Sequence, residues 1–187
     1  MSTPATLIDP PCTPPAERYP KLAELISYLD SLGTRVNLGV LDRLLSGLDV
    51  TRADIEPACI FGAKAYRRNT ISRGDCYELL ALCWRSGHVT PIHDHQGSSC
   101  AFRVIEGRGT EIRYRMSPAG IVCPVTAVEM PPGYVCAAHD DDIHQVANLQ
   151  PAGTDLITLH IYSPPIRSMH TYEFAPVCRP ESDTPVS

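Results

Sequence analysis

The first third of the chain carries leucines at helical spacing. Apolar residues that recur every three or four positions form one stripe along a helix, and that stripe can pack against a core. One such series ends just before Gly33 and a second follows it: Leu22, Leu25, Ile26, Leu29 and Leu32, then Leu41, Leu44, Leu45 and Leu48. Thr51 and Asp54 have the spacing of a helix-capping pair, which indicates a third short helix. The pattern therefore predicts two or three N-terminal α-helices.

After Tyr66 the pattern changes to short runs of Val, Ile, Leu, Tyr and Cys that are separated by Gly, Pro, Asn and Asp. The runs are YELLALCW, CAFRVIEG, GTEIRYRM, VCPVTAVEM, YVCAAH, HQVANL and DLITLHIYS. Many short strands with turn residues between them are typical of an antiparallel sandwich or barrel rather than of alternating β-α units. We therefore predict a mainly β fold, and a small barrel of this kind encloses a pocket lined by inward-facing side chains.

The length of the chain suits one domain. A chain of 187 residues can bury a substantial core without disulfides or a structural metal. Residues 1–20 hold six prolines and little apolar periodicity, so we expect no stable structure there. The predicted organisation is a Pro-rich segment at 1–20, a single domain at 21–178 and a tail at 179–187. We expect the protein to be a monomer.

Charge and cysteine usage narrow the function classes. The chain has 16 basic and 21 acidic residues, a formal net charge of −5, and no basic run that would mark a phosphate-binding surface. Its N-terminus lacks the pattern of a secretory signal, and no apolar run is long enough to cross a bilayer. Eight scattered cysteines without such a signal indicate reduced thiols. We expect a cytoplasmic protein that binds neither nucleic acid nor membrane.

Histidines supply the candidate chemistry. His93 and His95 lie in a strand-like segment, where side chains two positions apart leave the same face, so both imidazoles can reach one metal ion while Asp94 points away. His144, in DIHQVAN, is a candidate third ligand, and His160 lies in the later run LHIY. The pattern predicts a metal site in the β-rich half of the chain.

The spacing around these histidines resembles the two cupin motifs. The first motif is matched by Gly87, His93-x-His95, Cys100 and Gly107, and the second by Pro131-x-Gly133 and His144-x-x-x-Asn148 with a longer insertion than usual. Cysteine stands at position 100, where most cupins have a glutamate ligand. Together with YRRN at 66–69, LCW at 82–84, LHIYSPP at 159–165 and MH at 169–170, this cysteine resembles the cysteine dioxygenases, thiol dioxygenases of the cupin superfamily. The resemblance covers residues 60–175 and implies a cupin-type antiparallel β-barrel, a jelly roll.

The resemblance also implies the metal and the reaction. His93, His95 and His144 would bind one mononuclear non-haem Fe(II) per chain. Three neutral imidazoles leave the full positive charge on the metal. They also leave neighbouring coordination positions free for a thiolate and dioxygen. Both atoms of O2, the co-substrate, would then be added to the sulfur of L-cysteine, giving cysteine sulfinic acid.

Three further residues match the substrate pocket of this family. A guanidinium matches a carboxylate with two parallel hydrogen bonds, so Arg68 would hold the carboxylate of cysteine. Tyr66 lies on the same face of an extended segment, and Arg67 should point elsewhere. Met169 matches a pocket-lining position, although filling of the core would explain this methionine as well.

The remaining family positions surround a tyrosine. Tyr162 matches the active-site tyrosine, whose hydroxyl can donate to a bound oxygen species or to the substrate carboxylate. His160 would hydrogen-bond that hydroxyl rather than bind the metal. Cys100 matches a cysteine that is often joined to this tyrosine by a thioether bond, so we predict partial or complete cross-linking of Cys100 to Tyr162.

Other positions receive no catalytic role. The three remaining histidines, 88, 139 and 170, are expected to be surface or hydrogen-bonded structural residues. Asp94 and the run Asp140-Asp141-Asp142 are expected in a solvated turn, from which a carboxylate could also support a ligand imidazole. Ser163-Pro164 matches a bond that is cis in the family, but the sequence alone favours trans, and trans is the expectation.

Two other functions remain open. A 3-mercaptopropionate dioxygenase has the same iron site, but relatives of that type commonly carry glutamine in place of the arginine and lack the cross-linking cysteine, whereas this chain has Arg68 and Cys100. The second is a cupin that binds metal for structure or sensing without oxidising anything, because imidazoles suit zinc as well as iron.

Overall fold

Helices occupy the N-terminal part of the fold. In the computed structural model, residues 13–138, 142–166 and 168–173 are described. The α-helices are α1 (Pro15–Arg18), α2 (Ala23–Asp30) and α3 (Leu38–Ser46), and short 3-10 helices lie at Pro20–Leu22 and Arg52–Ala58. Most of the two leucine series lies on α2 and α3, as predicted, whereas Leu22 belongs to the first 3-10 helix, and Leu32 and Leu48 follow the ends of α2 and α3. Thr51 and Asp54 form the predicted capping pair, but the helix that they begin is a 3-10 helix rather than an α-helix.

The segment before residue 20 corrects one expectation. We predicted no stable structure at 1–20, yet Pro15–Arg18 is helical and Tyr19 is 3% exposed within the main apolar core. Proline at the first helical position already has a helical φ and lacks only an amide that would be unbonded there anyway. Burial of the Tyr19 ring then anchors this short turn. Residues 1–12, including Cys12, lie outside the described residues.

Ten strands form two antiparallel sheets. They are β1 (Arg67–Arg73), β2 (Glu78–Trp84), β3 (Ile92–His93), β4 (Ser99–Glu106), β5 (Gly109–Met116), β6 (Val122–Met130), β7 (Val135–Ala138), β8 (Ile143–Ala147), β9 (Leu156–Ser163) and β10 (Thr171–Tyr172). The first sheet has the order β1-β2-β9-β4-β7, and the second has the order β10-β3-β8-β5-β6. We refer to them as sheet A and sheet B.

Sheet A is covered on both faces, which decides where its side chains point. Every residue of β2 and β9 is buried. Along β9, Ile157, Leu159 and Ile161 pack with the helix leucines in one core. Leu156 and Tyr162 belong to a second core, which also holds Val146 of sheet B. Because neighbouring residues of a strand alternate between faces, Thr158, His160 and Tyr162 all face the space between the sheets. The N-terminal helices therefore complete the core on the outer face of sheet A.

Gly107, the last glycine of the first motif, closes the turn between β4 and β5. Its φ is +77°, and a β-carbon there would overlap the backbone oxygen of Asp155. Any other residue would thus be strained and would push the neighbouring loop away. The glycine is needed for the tight link between the two sheets.

The predicted fold class is confirmed: the protein is mainly β, with two antiparallel sheets and N-terminal helices. The seven runs identified in the sequence all contain strands, whereas β1 and the two-residue strands β3 and β10 were not among them. Among the described residues, no helix is long and apolar enough to span a membrane.

The expectation of reduced thiols holds for the five free cysteines 59, 76, 83, 100 and 136, but it is wrong for Cys123, which is disulfide-bonded.

Candidate metal centre

Three buried imidazoles converge inside the barrel. His93 ends β3, His95 follows it, and His144 lies on β8 directly opposite His93 in the sheet register. The candidate ligand atoms of the three residues all lie within 4.8 Å of one another. The Nε2 atoms of His95 and His144 are 3.3 Å apart. Two nitrogens that each lie about 2.1 Å from one ion at a tetrahedral angle are separated by about 3.4 Å, so this spacing suits a shared metal.

Hydrogen bonds on the other ring nitrogens orient two of the imidazoles. His93 Nδ1 donates to the carbonyl of Pro91 at 2.9 Å, and His144 Nδ1 donates to Glu111 Oε1 at 2.8 Å. In both rings the proton is therefore on Nδ1, and the Nε2 lone pair is left for a metal. Burial and the charge of His144 lower the pKa of His93 to about 4, which keeps this imidazole neutral at physiological pH.

One cavity collects all nine residues that the sequence singled out. It is lined by the three histidines together with Tyr66, Arg68, Cys100, His160, Tyr162 and Met169. His93 and His144 come from sheet B and His95 from the segment that follows β3, whereas Arg68, Cys100, His160 and Tyr162 come from sheet A. A molecule in the cavity would therefore contact the metal site on one side and a guanidinium on the other.

Arg68 is held in place by charge and by an aromatic ring. Its guanidinium carbon lies 5.0 Å from the centre of the Tyr162 ring, close enough for a cation-π interaction. An oxygen of Glu78 lies 3.7 Å from Nη2 of the guanidinium. Tyr66 stacks on Trp84 with ring centres 4.3 Å apart, whereas Arg67 is exposed. The arginine thus faces the cavity with its charge pre-positioned.

Cys100 and Tyr162 face each other across two neighbouring strands. They are register partners on β4 and β9, and both are almost fully buried. Burial raises the pKa of the Cys100 thiol. Burial and the neighbouring Cys100 also raise the pKa of Tyr162, so the phenol stays protonated and can donate. The two side chains are close enough for hydrogen bonding, which is the proximity that a covalent link between them requires.

A chain of polar groups continues behind the tyrosine. The hydroxyl of Tyr162 lies 3.2 Å from His160 Nδ1, and His160 Nε2 lies 2.9 Å from the hydroxyl of Thr158. Trp84 Nε1 donates to that same hydroxyl at 3.0 Å. Burial, followed by the charge of Arg68, lowers the pKa of His160, so its ring is neutral. Thr158 was not identified in the sequence, although it shares its strand face with His160 and Tyr162.

Asp94 corrects the expectation of a solvated turn. It is 6% exposed, and its Oδ2 accepts from Tyr172 at 2.7 Å and from His170 Nδ1 at 3.0 Å. Burial acts to raise the pKa of Asp94, but the hydrogen bonds from Tyr172 and His170 outweigh it and hold the pKa below its usual value. The segment that carries Met169 is thereby fastened next to the histidines, a contact between distant positions that no local pattern encodes.

Replacement of Asp94 with asparagine should destabilise the protein. The neutral amide loses two charge-assisted hydrogen bonds in a buried position, so we expect the free energy of unfolding of the metal-free protein to fall by about 1 to 3 kcal/mol. Asp49→Asn is the matched control, because the side chain of Asp49 is 94% exposed and pairs with Lys21 at the surface. Its effect should stay within about 0.5 kcal/mol in the same denaturant titration. Equal losses in the two variants would contradict the anchoring role of Asp94.

The other expectations have mixed outcomes. The Ser163-Pro164 bond is cis, so the expectation of trans is wrong. Because an X-Pro bond prefers trans by only about 0.5 to 1 kcal/mol, packing around it can decide the isomer. His88 is buried and accepts from the backbone of Arg85 at 3.0 Å, as expected of a structural histidine. Asp142 is exposed, and residues 139–141 lie outside the described residues.

Comparison with known proteins agrees with this geometry. Residues 21–175 match the family model described as cysteine dioxygenase type I. The cysteine dioxygenases type 1 of Rattus norvegicus and Homo sapiens are each 29% identical over 161 residues, which cover 81% of this chain and 78% of the relative. The Danio rerio protein of that name is 27% identical over 164 residues, covering 81% and 79%.

Among solved structures, a Klebsiella pneumoniae protein with a double-stranded beta-helix domain aligns with a TM-score of 0.49 and 17% identity, covering 64% of this chain and 94% of that chain. The family match covers most of the chain, including all the residues around the three-histidine cavity. The chain therefore belongs to the cysteine dioxygenase type I family.

Proposed function

We propose that this protein oxidises L-cysteine to cysteine sulfinic acid with both atoms of O2, using one Fe(II) held by His93, His95 and His144. The convergence of three buried imidazoles on a cavity that also contains a guanidinium is the observation that supports this function most directly. Membership of the cysteine dioxygenase family agrees with it.

The donor set suits a ferrous ion. Imidazole nitrogens bind iron and zinc alike, and Nδ1 contacts direct the Nε2 atoms of His93 and His144 inwards. A ferrous ion held by these three residues would supply a redox-active cation for the reaction of the thiol with dioxygen. The protein contributes Tyr162 and Arg68, which line the same cavity and can orient the organic part of the substrate.

Arg68 would bind the carboxylate of the substrate. Its fork can donate two parallel hydrogen bonds to a carboxylate, and its charge persists at any physiological pH. The ring of Tyr162 below the guanidinium limits the positions that the arginine can take. An amino acid held by its carboxylate on this side would present its sulfur to the imidazoles on the other side.

Tyr162 would act as a hydrogen-bond donor to the reacting oxygen or to the substrate. Its phenol is kept protonated by burial, and its hydroxyl contacts His160, which contacts Thr158 in turn. Such a chain restricts the direction of the hydroxyl before the substrate arrives, so the donor needs little reorganisation during the reaction.

Cross-linking of Cys100 to Tyr162 is a separate prediction. A thioether between the cysteine sulfur and the ring carbon next to the hydroxyl removes two hydrogen atoms, and their electrons pass to dioxygen as the oxidant. Exposure of the wild-type protein to Fe(II), cysteine and oxygen should therefore lower the intact mass by two hydrogens and yield a joined peptide. Cys100→Ser should show no such loss. Cys76→Ser, which removes another free thiol, should still show it. An unchanged wild-type mass would contradict the cross-link.

Oxygen uptake tests the function as a whole. Protein purified without oxygen and loaded with Fe(II) should consume O2 on addition of L-cysteine and release cysteine sulfinic acid, identified by mass spectrometry. A strong preference for 3-mercaptopropionate, which has the carboxylate but no amine, would replace the proposed substrate. Stoichiometric zinc in the purified protein and no oxygen consumption after iron loading would instead indicate a metal-binding cupin that oxidises nothing.

A further inference from the structure

A buried carboxylate lies directly behind one of the three imidazoles. Glu111 is 1% exposed on β5, and its Oε1 accepts from His144 Nδ1 at 2.8 Å. Its Oε2 accepts from Arg113 Nε at 2.9 Å, and Nη2 of the same guanidinium lies 2.8 Å from that oxygen in an ion pair. A carboxylate buried without partners is strongly destabilising, so each of its oxygens has a partner that favours the charged form. The carboxylate connects an arginine at the surface to the candidate metal ligand.

The sheet register accounts for this row of side chains. Arg113 on β5 is the direct partner of His144 on β8, and Glu111 lies two residues before Arg113 on the same strand. Residues two apart share a face, and a long side chain can reach the diagonal neighbour on the next strand. Glu111, Arg113 and His144 are therefore held together by backbone pairing rather than by a flexible loop.

The environment of His144 differs from that of His93. The Nδ1 proton of His93 meets a neutral backbone carbonyl, that of Pro91, whereas the Nδ1 proton of His144 meets an anion. A carboxylate on the outer nitrogen fixes the ring orientation and makes the inner nitrogen a stronger donor to a metal. Of these two rings, only that of His144 therefore has a carboxylate on its outer nitrogen.

We propose that Glu111 is a positioning residue for the metal: it holds His144 with Nε2 directed at the ion and strengthens the binding of that ion by this ring. Arg113 occupies the second carboxylate oxygen and thereby directs the first oxygen to the imidazole. The inference rests on the three-histidine centre proposed above, and it adds to that centre a fourth protein residue that does not touch the metal.

Metal affinity tests the proposal without reference to turnover. Metal-free wild-type protein, Glu111→Gln and Glu129→Gln would each be titrated with Zn²⁺ in competition with a chromophoric chelator, and with Fe²⁺ in the absence of oxygen. Glutamine preserves the size of the side chain and removes its charge. We expect Glu111→Gln to weaken binding of both ions about 10- to 100-fold. Glu129 is the matched control, because it lies on β6 in an exposed pair with Arg108, away from the histidines.

A measurement on the wild-type protein covers the case in which Glu111→Gln does not fold. In the Zn²⁺-loaded wild type, nuclear magnetic resonance should detect a slowly exchanging, strongly deshielded proton on Nδ1 of His144. Rapid exchange of this proton, or metal affinity of Glu111→Gln within about twofold of the wild type, would overturn the role of Glu111 and leave the metal centre in place. A wild-type protein that binds neither ion would instead overturn the metal centre.

Discussion

Replacement of His144 with alanine is expected to weaken metal binding strongly and to abolish oxygen uptake. Structural zinc sites contribute about 10 to 16 kcal/mol through four donors, so the loss of one donor should cost about 2.5 to 4 kcal/mol, which is about 60- to 700-fold in Kd. The Nε2 of His144 lies 3.3 Å from that of His95, and no other imidazole among the described residues belongs to this cluster. No neighbouring ring can therefore replace the lost ligand. Metal content after purification and the Zn²⁺ titration described above measure the effect.

The control for this variant is His88→Ala. His88 is buried and lies five residues before His93, but its ring accepts from the backbone of Arg85 and it is not part of the ligand cluster. The control should lose some stability and keep its metal. Equal metal content in His144→Ala and the wild type would contradict the assignment of His144 as a ligand. Equal metal loss in His144→Ala and His88→Ala would show that the loss results from a folding defect.

Arg68→Gln is expected to raise the KM for L-cysteine strongly. A hydrogen-bonded pair between charged groups is worth about 1.5 to 3 kcal/mol, which corresponds to an increase of about 10- to 150-fold in KM. The value of kcat should change less, because the guanidinium binds a part of the substrate that does not react. Glu78 keeps a cation in this variant, since Arg73 lies 3.5 Å from its other oxygen, so the fold should tolerate the change.

The neighbouring arginine offers a matched control. Arg67→Gln removes the same charge from an exposed position on the same strand, and its KM should stay within about twofold of the wild type. Substrate analogues separate the roles further. Cysteamine lacks the carboxylate, so its oxidation should be equally slow in the wild type and in Arg68→Gln. A KM for cysteine that is unchanged in Arg68→Gln would show that the carboxylate is bound elsewhere.

The strand content was predictable because it depends on a local pattern. The runs GTEIRYRM and VCPVTAVEM coincide residue for residue with β5 and β6, and both are bounded by turn residues. The strand-like segment predicted to hold both His93 and His95 is confirmed only in part, because β3 ends at His93 and His95 lies beyond it. The two-residue strand β10 was not identified, because it is too short to show any alternation. These two strands owe their pairing to a register, Thr171 against His93, that joins distant parts of the chain.

Burial was harder to predict than secondary structure. Glu111 lies in a strand with two arginines on the same face, a pattern that indicates a solvated surface, yet it is 1% exposed because it meets His144. Asp94 is another buried acid, and its partners come from the C-terminal segment. In both cases a polar partner compensates the cost of burying a charge, and that partner is not a neighbour in the sequence.

By itself, the sequence determined the class of the fold and the three candidate ligands, and its resemblance to the cysteine dioxygenases supplied the residues that surround them. Helical and strand periodicities, and the two-residue spacing of His93 and His95, are local properties that can be identified without knowledge of packing. Only the tertiary structure decided which strands pair, that Cys100 and Tyr162 are register partners on β4 and β9, and which acids support the site. Glu111 and His144 are 33 positions apart, and Asp94 and His170 are 76 apart. Such contacts depend on the register of paired strands, and a shift of one residue would turn every side chain to the opposite face.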